Sequence, residues 1–386
     1  MIEFRPPRAP KYVDHATVYR REDEFCSWPY TSGFWENAAG ELIANFTART
    51  VAYRSGSEIS HDALEAAGAA KAPKVVTVRS KDRGRTWDGD TPQVDMMSAG
   101  RPLAAADMPT ALPGPIDYLD RNLLVANASI GGFAVAASRG TVQISRDGGR
   151  SWLPPVLLPL DGLVSTTGIH SALVRPDGRC LLFMFEVDKA NANRRPLVFA
   201  STPDGTQFHF LSYVVPRADP WGQTDGDYAG SIRFVGHRWF YPRGTMLPSG
   251  RILCTVRCQR DPTGVMWTEV FHSDDGGETW GFLSRVNDYG APGSLVAMPD
   301  GRLVIVYGYR LMPSGIRAAV SEDGGRSWGP ELVVRKDGGS WDLGYPNAWV
   351  AGDGTVGTLY YFNDRNDPVK ANGGVRHIAR SLFTLD

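Results

Sequence analysis

The sequence predicts an all-β protein, a β-propeller of six four-stranded antiparallel blades, with seven blades as the alternative. Three observations predict this fold: a turn motif that recurs along the chain, a hairpin that keeps step with it, and the scarcity of helical pattern. Residues 61–72, HDALEAAGAAKA, hold one modest amphipathic helix pattern, and β-prone runs between glycine turns dominate elsewhere. A chain of 386 residues can form such a fold as one unit, since all-β domains can exceed roughly 200 residues.

The first repeat is an eight-residue turn that ends in an aromatic residue. It reads SKDRGRTW, SRDGGRSW, SDDGGETW and SEDGGRSW at residues 80–87, 145–152, 273–280 and 321–328, with a degenerate copy, STPDGTQF, at 201–208. The mean spacing of about 60 residues is near the repeat length of propeller blades. Its Asp can accept backbone N–H bonds, its Gly can adopt a positive φ, and its Trp can pack between blades. The motif is therefore predicted to build the scaffold.

The second repeat places a glycine hairpin before an apolar run. Its copies are RPDGRCLLFMF, LPSGRILCTVR, MPDGRLVIVYG and AGDGTVGTLYY at residues 175–185, 247–257, 298–308 and 351–361, with a weaker one at 38–46. Each unit thus reads as a four-stranded meander, the blade of a propeller. We count six units, and the long segments 88–120 and 212–238 leave a seventh open. We expect a single domain over residues 1–386, with residues 16–21 completing the last blade beside residues 376–383.

Charge and cysteine content exclude several classes of function. Lysine and arginine total 41 against 42 aspartate and glutamate residues, so no overall field attracts nucleic acid or an anionic membrane. The four cysteines show neither a paired secretory framework nor metal-type spacing. We expect no nucleic-acid or membrane partner and no cofactor, with a structural calcium ion as an option in the turns. The segment MIEFRPPRAPKYVDH lacks the apolar stretch of a secretory peptide, which predicts a cytoplasmic location.

The face opposite the repeated turns is the predicted functional face. In a four-stranded meander both repeated turns lie on one face, while each first strand begins at the other, around a central depression. Counting back from the turn glycines places three capable side chains at these strand starts, namely His170, Tyr241 and Tyr345. The candidates for binding the substrate are Arg243, Arg257, Arg260, Arg310, Arg317 and Asp342. Because arginine presents a planar donor fork to carboxylates, this set predicts an acidic substrate, the alternative being arginines that are solvated or ion-paired.

The eight-residue turn is similar to the Asp box of the sialidase superfamily, and its copies extend over residues 80–328. The resemblance implies a propeller in which Tyr345, in DLGYPNAWV, resembles the nucleophilic tyrosine of sialidases. Arg257 or Arg260, together with Arg317, resemble two members of the sialidase arginine triad. The first triad arginine has no counterpart in SWPYTSGFW, and FYPRG lacks the glutamate that would polarise the tyrosine. True sialidase activity is therefore not expected.

Longer stretches resemble bacterial and fungal propellers that include L-rhamnose-α-1,4-D-glucuronate lyases and relatives described as rhamnosidases. The similar stretches are VYRREDEFCSWPYTSGFWENAAGELIANF, GIRAAVSEDGGRSW, GSWDLGYPNAWV and LYYFND. Those enzymes use a histidine in an early-blade loop, and His61 in EISHDALE occupies the matching place. TGIHSALV departs from the family, since it replaces a strand start that bears Arg and Tyr there. The resemblance implies an enzyme that acts on acidic saccharides.

The residue types favour β-elimination from an acidic oligosaccharide. Removing the C5 proton of a uronate requires its carboxylate charge to be offset, which is the task of the arginines named above. His61, as the leading candidate, or His170 can exchange protons near neutral pH. Tyr345 or Tyr241 can donate a proton to the leaving oxygen. Two alternatives stay open: a sialidase-like exo-glycoside hydrolase with Tyr345 in the catalytic role, and a carbohydrate-binding propeller without catalysis.

Overall fold

The computed structural model confirms the all-β propeller and sets the number of blades at six. It describes residues 5–54, 59, 73–96, 107–127, 138–187, 194–215, 238–259, 265–352 and 354–385. Helix is limited in these ranges to short segments such as α1 (Pro29–Ser32) and a 3-10 turn (Ala371–Gly373). Residues 61–72, with their helical pattern, lie outside the described ranges. Within those ranges, no helix has the length and apolarity needed to span a membrane.

The strands follow one another along the chain in the groups that form the sheets. They are β1 (Val13–Tyr19), β2 (Glu24–Ser27), β3 (Phe34–Glu36), β4 (Leu42–Thr50), β5 (Lys74–Ser80), β6 (Gln93–Met96), β7 (Leu124–Asn127), β8 (Thr141–Ser145), β9 (Val156–Leu157), β10 (Ser171–Val174), β11 (Cys180–Val187), β12 (Arg194–Ser201), β13 (Phe208–Tyr213), β14 (Arg238–Met246), β15 (Ile252–Gln259), β16 (Met266–Ser273), β17 (Gly281–Arg285), β18 (Gly293–Ala297), β19 (Leu303–Tyr309), β20 (Gly315–Ser321), β21 (Leu332–Arg335), β22 (Gly344–Gly352), β23 (Thr355–Phe362) and β24 (His377–Phe383).

The chain divides into two compact units with three sheets each. The first unit, Met1–Pro102 with Tyr289–Asp386, holds the sheets β2-β4-β5-β6, to which β3 adds a fifth strand, β18-β19-β20-β21 and β1-β24-β23-β22. The second unit, Leu103–Asp288, holds β7-β8-β9, β10-β11-β12-β13 and β14-β15-β16-β17. Strand β1 pairs antiparallel with β24, with Val13 opposite Phe383, so one sheet takes strands from both ends of the sequence. A single domain over residues 1–386 remains a prediction.

The middle strands of the sheets carry apolar side chains on both faces. Strand β19 reads LVIVYGY and β11 reads CLLFMFEV, and nearly all of their residues are buried. Such runs are typical of strands covered on both sides, whereas strands with one wet face alternate. One core cluster of the first unit joins Val304 and Val306 of β19 to Val356 and Tyr360 of β23. Neighbouring sheets in each unit are therefore held together by their central strands.

The repeated eight-residue turns are closed by their own side chains. In the last copy, Asp323 Oδ1 accepts the Ser327 N–H at 2.9 Å and the Ser321 hydroxyl at 2.8 Å, and Asp323 Oδ2 accepts the Ser327 hydroxyl at 2.6 Å. The Gly325 N–H donates to Ser321 Oγ at 2.8 Å. The same bonds recur in the three other full copies, on Asp82, Asp147 and Asp275. These carboxylates are used within the turn, which agrees with the predicted scaffold role.

The tryptophans of two copies pack against a neighbouring sheet of the same unit. Trp280 donates to the Gly277 carbonyl at 3.0 Å, and its ring meets Phe183 of β11 at 6.0 Å between centroids. Trp87 likewise meets Trp349 of β22 edge-on at 5.9 Å. Each aromatic residue thus joins its own turn to the next sheet, as expected for a structural motif.

We predict that the turns make the folded protein sensitive to acid. Hydrogen bonds from the Ser327 hydroxyl and N–H lower the pKa of Asp323 to about 2. At Asp82, Asp147 and Asp275 burial opposes ionisation, but the bonds of the turn outweigh it and lower each pKa. A carboxyl whose pKa is lowered on folding stabilises the protein above its unfolded pKa of about 3.9, and that stabilisation is lost as the pH falls through the folded pKa. The urea midpoint should therefore be steady above about pH 4 and drop toward pH 2.

The variant Asp323→Asn tests whether the carboxylates of the repeated turns cause this acid sensitivity. It should lower the free energy of unfolding at pH 7 by about 1 kcal/mol, as loss of a helix cap does, and the difference from wild type should shrink as the pH approaches 2. Glu322→Gln, at the exposed neighbour in the same turn, is the matched control and should behave as wild type. If the difference in unfolding free energy between Asp323→Asn and wild type stayed constant from pH 7 to pH 2, the Asp323 carboxylate would not be a source of the acid sensitivity.

Candidate active site

Tyr345, a sequence candidate of the first unit, adopts an unusual backbone conformation. It lies at the start of β22, before Pro346, and its φ of 50° falls in the left-handed region. Gly344 has a φ of 104°, and a Cβ there would lie 2.8 Å from the Gly308 Cα, so glycine is required. A bulky residue rarely adopts positive φ, and such strain concentrates at functional sites. The buried phenol is thus held in a costly conformation, which points to a function.

Two buried tyrosines pack against Tyr345. The ring of Tyr30, from α1, meets it edge-on at 6.5 Å between centroids, and Tyr361 of β23 meets it at 5.7 Å. The Tyr30 hydroxyl donates to the Gly293 carbonyl at the start of β18, at 3.4 Å. Side chains from α1 and β23 therefore pack against Tyr345, and α1 is in turn anchored to β18.

Arg310 places a positive charge beside Tyr345. Its guanidinium carbon lies 5.6 Å from the centroid of the Tyr345 ring and 5.4 Å from that of Trp341. Nη1 donates to the Trp341 carbonyl at 3.2 Å, whereas Nε is buried and has no hydrogen-bond partner among the described residues. Burial disfavours the charge, but Tyr361, Tyr345 and Asp342 outweigh it and raise the pKa of Arg310. A permanent cation with an unmet buried donor is suited to receive an anionic group.

Asp342 anchors the loop between β21 and β22. Its carboxylate accepts the Tyr361 hydroxyl at 2.5 Å and the Arg376 Nε at 3.4 Å, and its carbonyl accepts Asn363 Nδ2 at 2.7 Å. Burial, and then the nearby Asp342 carboxylate, raise the pKa of Tyr361 well above its usual range. Each carboxylate oxygen already has a buried partner, so Asp342 positions the loop. Its predicted role in binding substrate stays a prediction.

Arg376 is a fully buried arginine behind Asp342. Besides its ion pair, Nη1 donates to the Gly374 carbonyl at 2.9 Å, and Nη2 donates to Ser340 Oγ at 3.0 Å and the Asn372 carbonyl at 2.8 Å. A buried charge is tolerated when it is paired and its donors are satisfied. We call five of these residues the tyrosine site, namely Arg310, Asp342, Tyr345, Tyr361 and Arg376.

Arg317 has partners of its own. It forms an ion pair with Glu331, and its guanidinium carbon lies 3.4 Å from the centroid of the Tyr309 ring. Glu331 also accepts the Tyr307 hydroxyl at 2.6 Å. Because its charge is already balanced, Arg317 is a weaker candidate than Arg310 for holding a substrate anion. Its assignment to the anion clamp stays a prediction.

The second unit gathers His170, Tyr241 and Arg257, which sequence analysis also singled out. His170 stacks on Phe185 at 5.1 Å with an interplanar angle of 9°, and Tyr241 meets it edge-on at 5.2 Å. The Arg257 guanidinium carbon lies 5.5 Å from the centroid of the Tyr241 ring. Tyr241 precedes a proline and has a φ of 53°, so it repeats the conformation of Tyr345. We call these residues the histidine cluster.

The imidazole of His170 is neutral near pH 7. Burial, and then the charge of Arg243, lower the pKa of His170 to about 3. Neither ring nitrogen has a hydrogen-bond partner in the described part of the chain. A histidine with this pKa is not an imidazolium near neutral pH, so it is a poor general acid there. The catalytic roles of His170 and Tyr241, and the binding roles of Arg243 and Arg257, stay predictions.

Two predicted site residues, His61 and Arg260, lie outside the described residues. The acid/base role of His61 and the anion-binding role of Arg260 therefore stay predictions. In the described ranges, no group of three or more His, Cys, Asp or Glu side chains is placed to hold a metal ion. The expectations about cofactors and structural calcium are predictions as well.

Trp341, Tyr361 and Arg376 were not among the site residues predicted from the sequence. Trp341 and Tyr361 fall in stretches that carry the family resemblance, GSWDLGYPNAWV and LYYFND, so a signal was present for both. Arg376 precedes the last strand, and its type and position do not distinguish it from a solvated arginine. Its burial depends on a loop 36 residues earlier, at Ser340.

Structures similar to this chain share its fold. A protein of unknown function from Dyadobacter fermentans DSM 18053 has a TM-score of 0.69 at 20% identity, covering 97% of this chain and 99% of that one. The Hadza microbial sialidase Hz136 has a TM-score of 0.58 at 18% identity, with 96% and 68% covered. The α-L-arabinanase of Penicillium chrysogenum, complexed with arabinobiose, has a TM-score of 0.56 at 13% identity, with 96% and 99% covered. At these identities the likeness shows the fold alone.

The match to a protein family shows more than the fold, because it assigns the chain to that family. A search of curated proteins found no match. The family described as "BNR repeat-like domain" matches residues 123–358, which include three of the full eight-residue turns and Tyr345. Since this match spans more than half of the chain, the protein belongs to the BNR repeat-like domain family.

Proposed function

We propose that this protein cleaves a glycosidic bond in an oligosaccharide that carries a carboxylate, and that it does so by β-elimination at the tyrosine site. The observation that carries the proposal is the pairing of Arg310 with Tyr345. Arg310 has a buried Nε–H without a partner in the described residues, and Tyr345 is held beside it in a strained conformation. A cation for an acid group and a phenol for proton transfer thus stand side by side.

Arg310 would hold the carboxylate of a uronate. When the C5–H bond breaks, negative charge develops on that carboxylate, and a fixed guanidinium stabilises it more strongly than water does. The Trp341 carbonyl orients the guanidinium through Nη1, at 3.2 Å, and the buried Nε–H, which has no partner among the described residues, would donate to the substrate. Arg310 is therefore the leading member of the proposed anion clamp.

The elimination is balanced by two proton transfers. A base takes the C5 proton, the C–H electron pair becomes the C4–C5 double bond, and the C4–O bond breaks with its electrons on the leaving oxygen. The Tyr345 hydroxyl would donate a proton to that oxygen, and return of the C5 proton from the base would restore the phenol. Sequence resemblance assigns the base to His61, which lies outside the described residues.

Two lines of support favour action on saccharides. Among the similar structures are a protein named as a sialidase and one named as an α-L-arabinanase, which favours a glycoside-processing activity. The resemblance to glucuronate lyases, with the cation at Arg310, favours a uronate and elimination. The uronate substrate and the lyase mechanism are parts of this proposal.

Hydrolysis is the second candidate, and one feature of the site favours it. Glycoside hydrolysis usually needs two carboxyl groups, but sialidases use a tyrosine nucleophile instead. Within the tyrosine site as described, the one carboxylate, Asp342, is engaged by Tyr361 and Arg376. A hydrolase built on this site would therefore use the Tyr345 oxygen to attack the anomeric carbon, and water would release the sugar.

Product analysis separates these chemistries. Wild-type protein is incubated with oligosaccharides in which a sugar is attached to O4 of a uronate, and with sialylated and neutral oligosaccharides, and the products are followed by ultraviolet absorbance and by mass. We expect absorbing products whose masses sum to that of the substrate, because elimination adds no water. Arg310→Ala should lower kcat/KM on the uronate by about 100-fold, as expected for loss of a charge-assisted contact. Arg285→Ala is the matched control, since that arginine also lies over an aromatic ring, 4.4 Å from the centroid of Trp267.

Each result decides between the candidates. Products heavier by one water, without absorbance, would establish the hydrolase and make Tyr345 the nucleophile. Uronate cleavage that Arg310→Ala leaves unchanged would remove Arg310 from the clamp. Binding of a sugar with no product from any member of the panel would establish a carbohydrate-binding propeller.

A further inference from the structure

We infer that Trp341 forms a second sugar subsite, which binds the neutral residue joined to the uronate held by Arg310. This inference rests on the proposed function, because it takes the ligand of Arg310 to be an acidic sugar. It adds a requirement that the proposal does not contain: the substrate must offer a second sugar ring.

The first observation is exposed apolar surface beside the tyrosine site. Trp341 is 56% exposed, and Leu311 and Met312, which directly follow Arg310, are 43% and 68% exposed. Large apolar side chains gain free energy by burial, so a rigidly placed exposed tryptophan is informative. Arg310 joins the two segments, since it contacts the Trp341 ring and donates to the Trp341 carbonyl.

The second observation is that the backbone on both sides of Trp341 is fixed by buried groups. The Ser340 N–H donates to Asn363 Oδ1 at 2.6 Å, and the Ser340 carbonyl accepts the Ser314 hydroxyl at 3.0 Å. On the other side, Asp342 is held by Tyr361 and by the Asn363 amide. The backbone that carries the indole is thus already ordered, so a ligand that stacks on Trp341 binds without the entropy cost of ordering the loop.

The chemistry of this surface selects the ligand. An aromatic face is apolar and carries partial negative charge, so it complements a ring that presents C–H bonds on its face and hydroxyl groups at its edge. A pyranose or furanose has this character, whereas a second carboxylate would meet the unfavourable face of the indole. With the acid group on Arg310, the neighbouring neutral sugar is the part of the substrate that would stack on Trp341.

The test compares a disaccharide in which a neutral sugar is attached to O4 of a uronate with an analogue in which a methyl group replaces the neutral sugar. Trp341→Ala should raise KM for the disaccharide about tenfold and change kcat little, while KM for the methyl analogue should stay as in wild type. Trp341→Phe, which keeps an aromatic face, should recover much of the loss. Phe282→Ala is the matched control, because Phe282 is 58% exposed and lies on β17.

A binding measurement keeps this inference separate from the proposed function. Titration calorimetry would measure how tightly the uncleaved disaccharide binds to two variants. One is Tyr345→Phe, and the other is the double variant that combines Tyr345→Phe with Trp341→Ala. If wild type forms no product but binding weakens about tenfold without Trp341, the subsite holds and the proposed catalysis fails. If wild type cleaves the disaccharide, and Trp341→Ala changes KM by the same factor for the disaccharide and for the methyl analogue, the subsite alone is overturned. If the disaccharide is neither cleaved nor bound, both are overturned.

Discussion

Replacing Tyr345 with phenylalanine is expected to lower kcat on the cleaved oligosaccharide by about 10²–10⁴-fold. The change removes one hydroxyl and keeps the ring, so the contacts with Tyr30 and Tyr361 and the backbone at positive φ are preserved. KM should change little, since the carboxylate is held by Arg310. Steady-state rates, with circular dichroism and a thermal scan to confirm the fold, measure the effect.

The matched control is Tyr118→Phe in the second unit. Tyr118 is buried like Tyr345, and its hydroxyl donates to the Gly205 carbonyl at 2.8 Å. Its loss should cost about 1 kcal/mol of unfolding free energy and leave kcat unchanged. If Tyr345→Phe retained wild-type turnover, Tyr345 would have no catalytic role and both proposed chemistries would fail.

Arg376→Met is expected to produce the largest loss of stability, about 3–5 kcal/mol of unfolding free energy. The variant would leave the buried Asp342 carboxylate without its ion-pair partner Arg376 and would remove the donors to the Gly374 and Asn372 carbonyls. Removing one member of a buried ion pair costs far more than the pair itself contributes. Urea unfolding followed by intrinsic tryptophan fluorescence measures the change.

Arg302→Met is the comparison for an exposed ion pair. Arg302 pairs with Asp300 at 2.8 Å at the surface, where solvent screens the charges, so its loss should change the free energy of unfolding far less than the loss of Arg376. In the double variant Arg376→Met with Asp342→Asn, the loss should be smaller than the sum of the two single losses, because no uncompensated charge remains. Equal losses for Arg376→Met and Arg302→Met would show that the buried network does not stabilise the fold.

The sheets could be predicted from the sequence because each repeated turn has a fixed place in its blade. The hairpin at residues 298–302 joins β18 to β19, and the turn at 321–328 joins β20 to β21. The first sheet was harder to predict, since SWPYTSGFW has no repeat to align it. There Pro29 begins α1, and β3 and β2 both pair with β4.

The site was predictable only in part, for a related reason. Tyr345 follows from a local count, because hairpin register sets its distance from the turn glycine. Ion-pair partners that folding brings together from distant parts of the chain cannot be recognised in the local sequence. Arg317 was predicted from the sequence to bind an anionic substrate, yet it is paired with Glu331. Arg376 shows the converse, since a charged side chain that looks solvated is fully buried.

The pairing of β1 with β24 has a consequence for how the protein is made. His15 and Ser381 are 366 positions apart and share a hydrogen bond of 2.7 Å. Closing a loop of that length costs about 5 kcal/mol of chain entropy, so this sheet should be the slowest to form. On the ribosome, β1 waits unpaired until β24 has been synthesised. The sheet that carries Tyr345 is then completed last, so incomplete nascent chains lack the proposed catalytic activity.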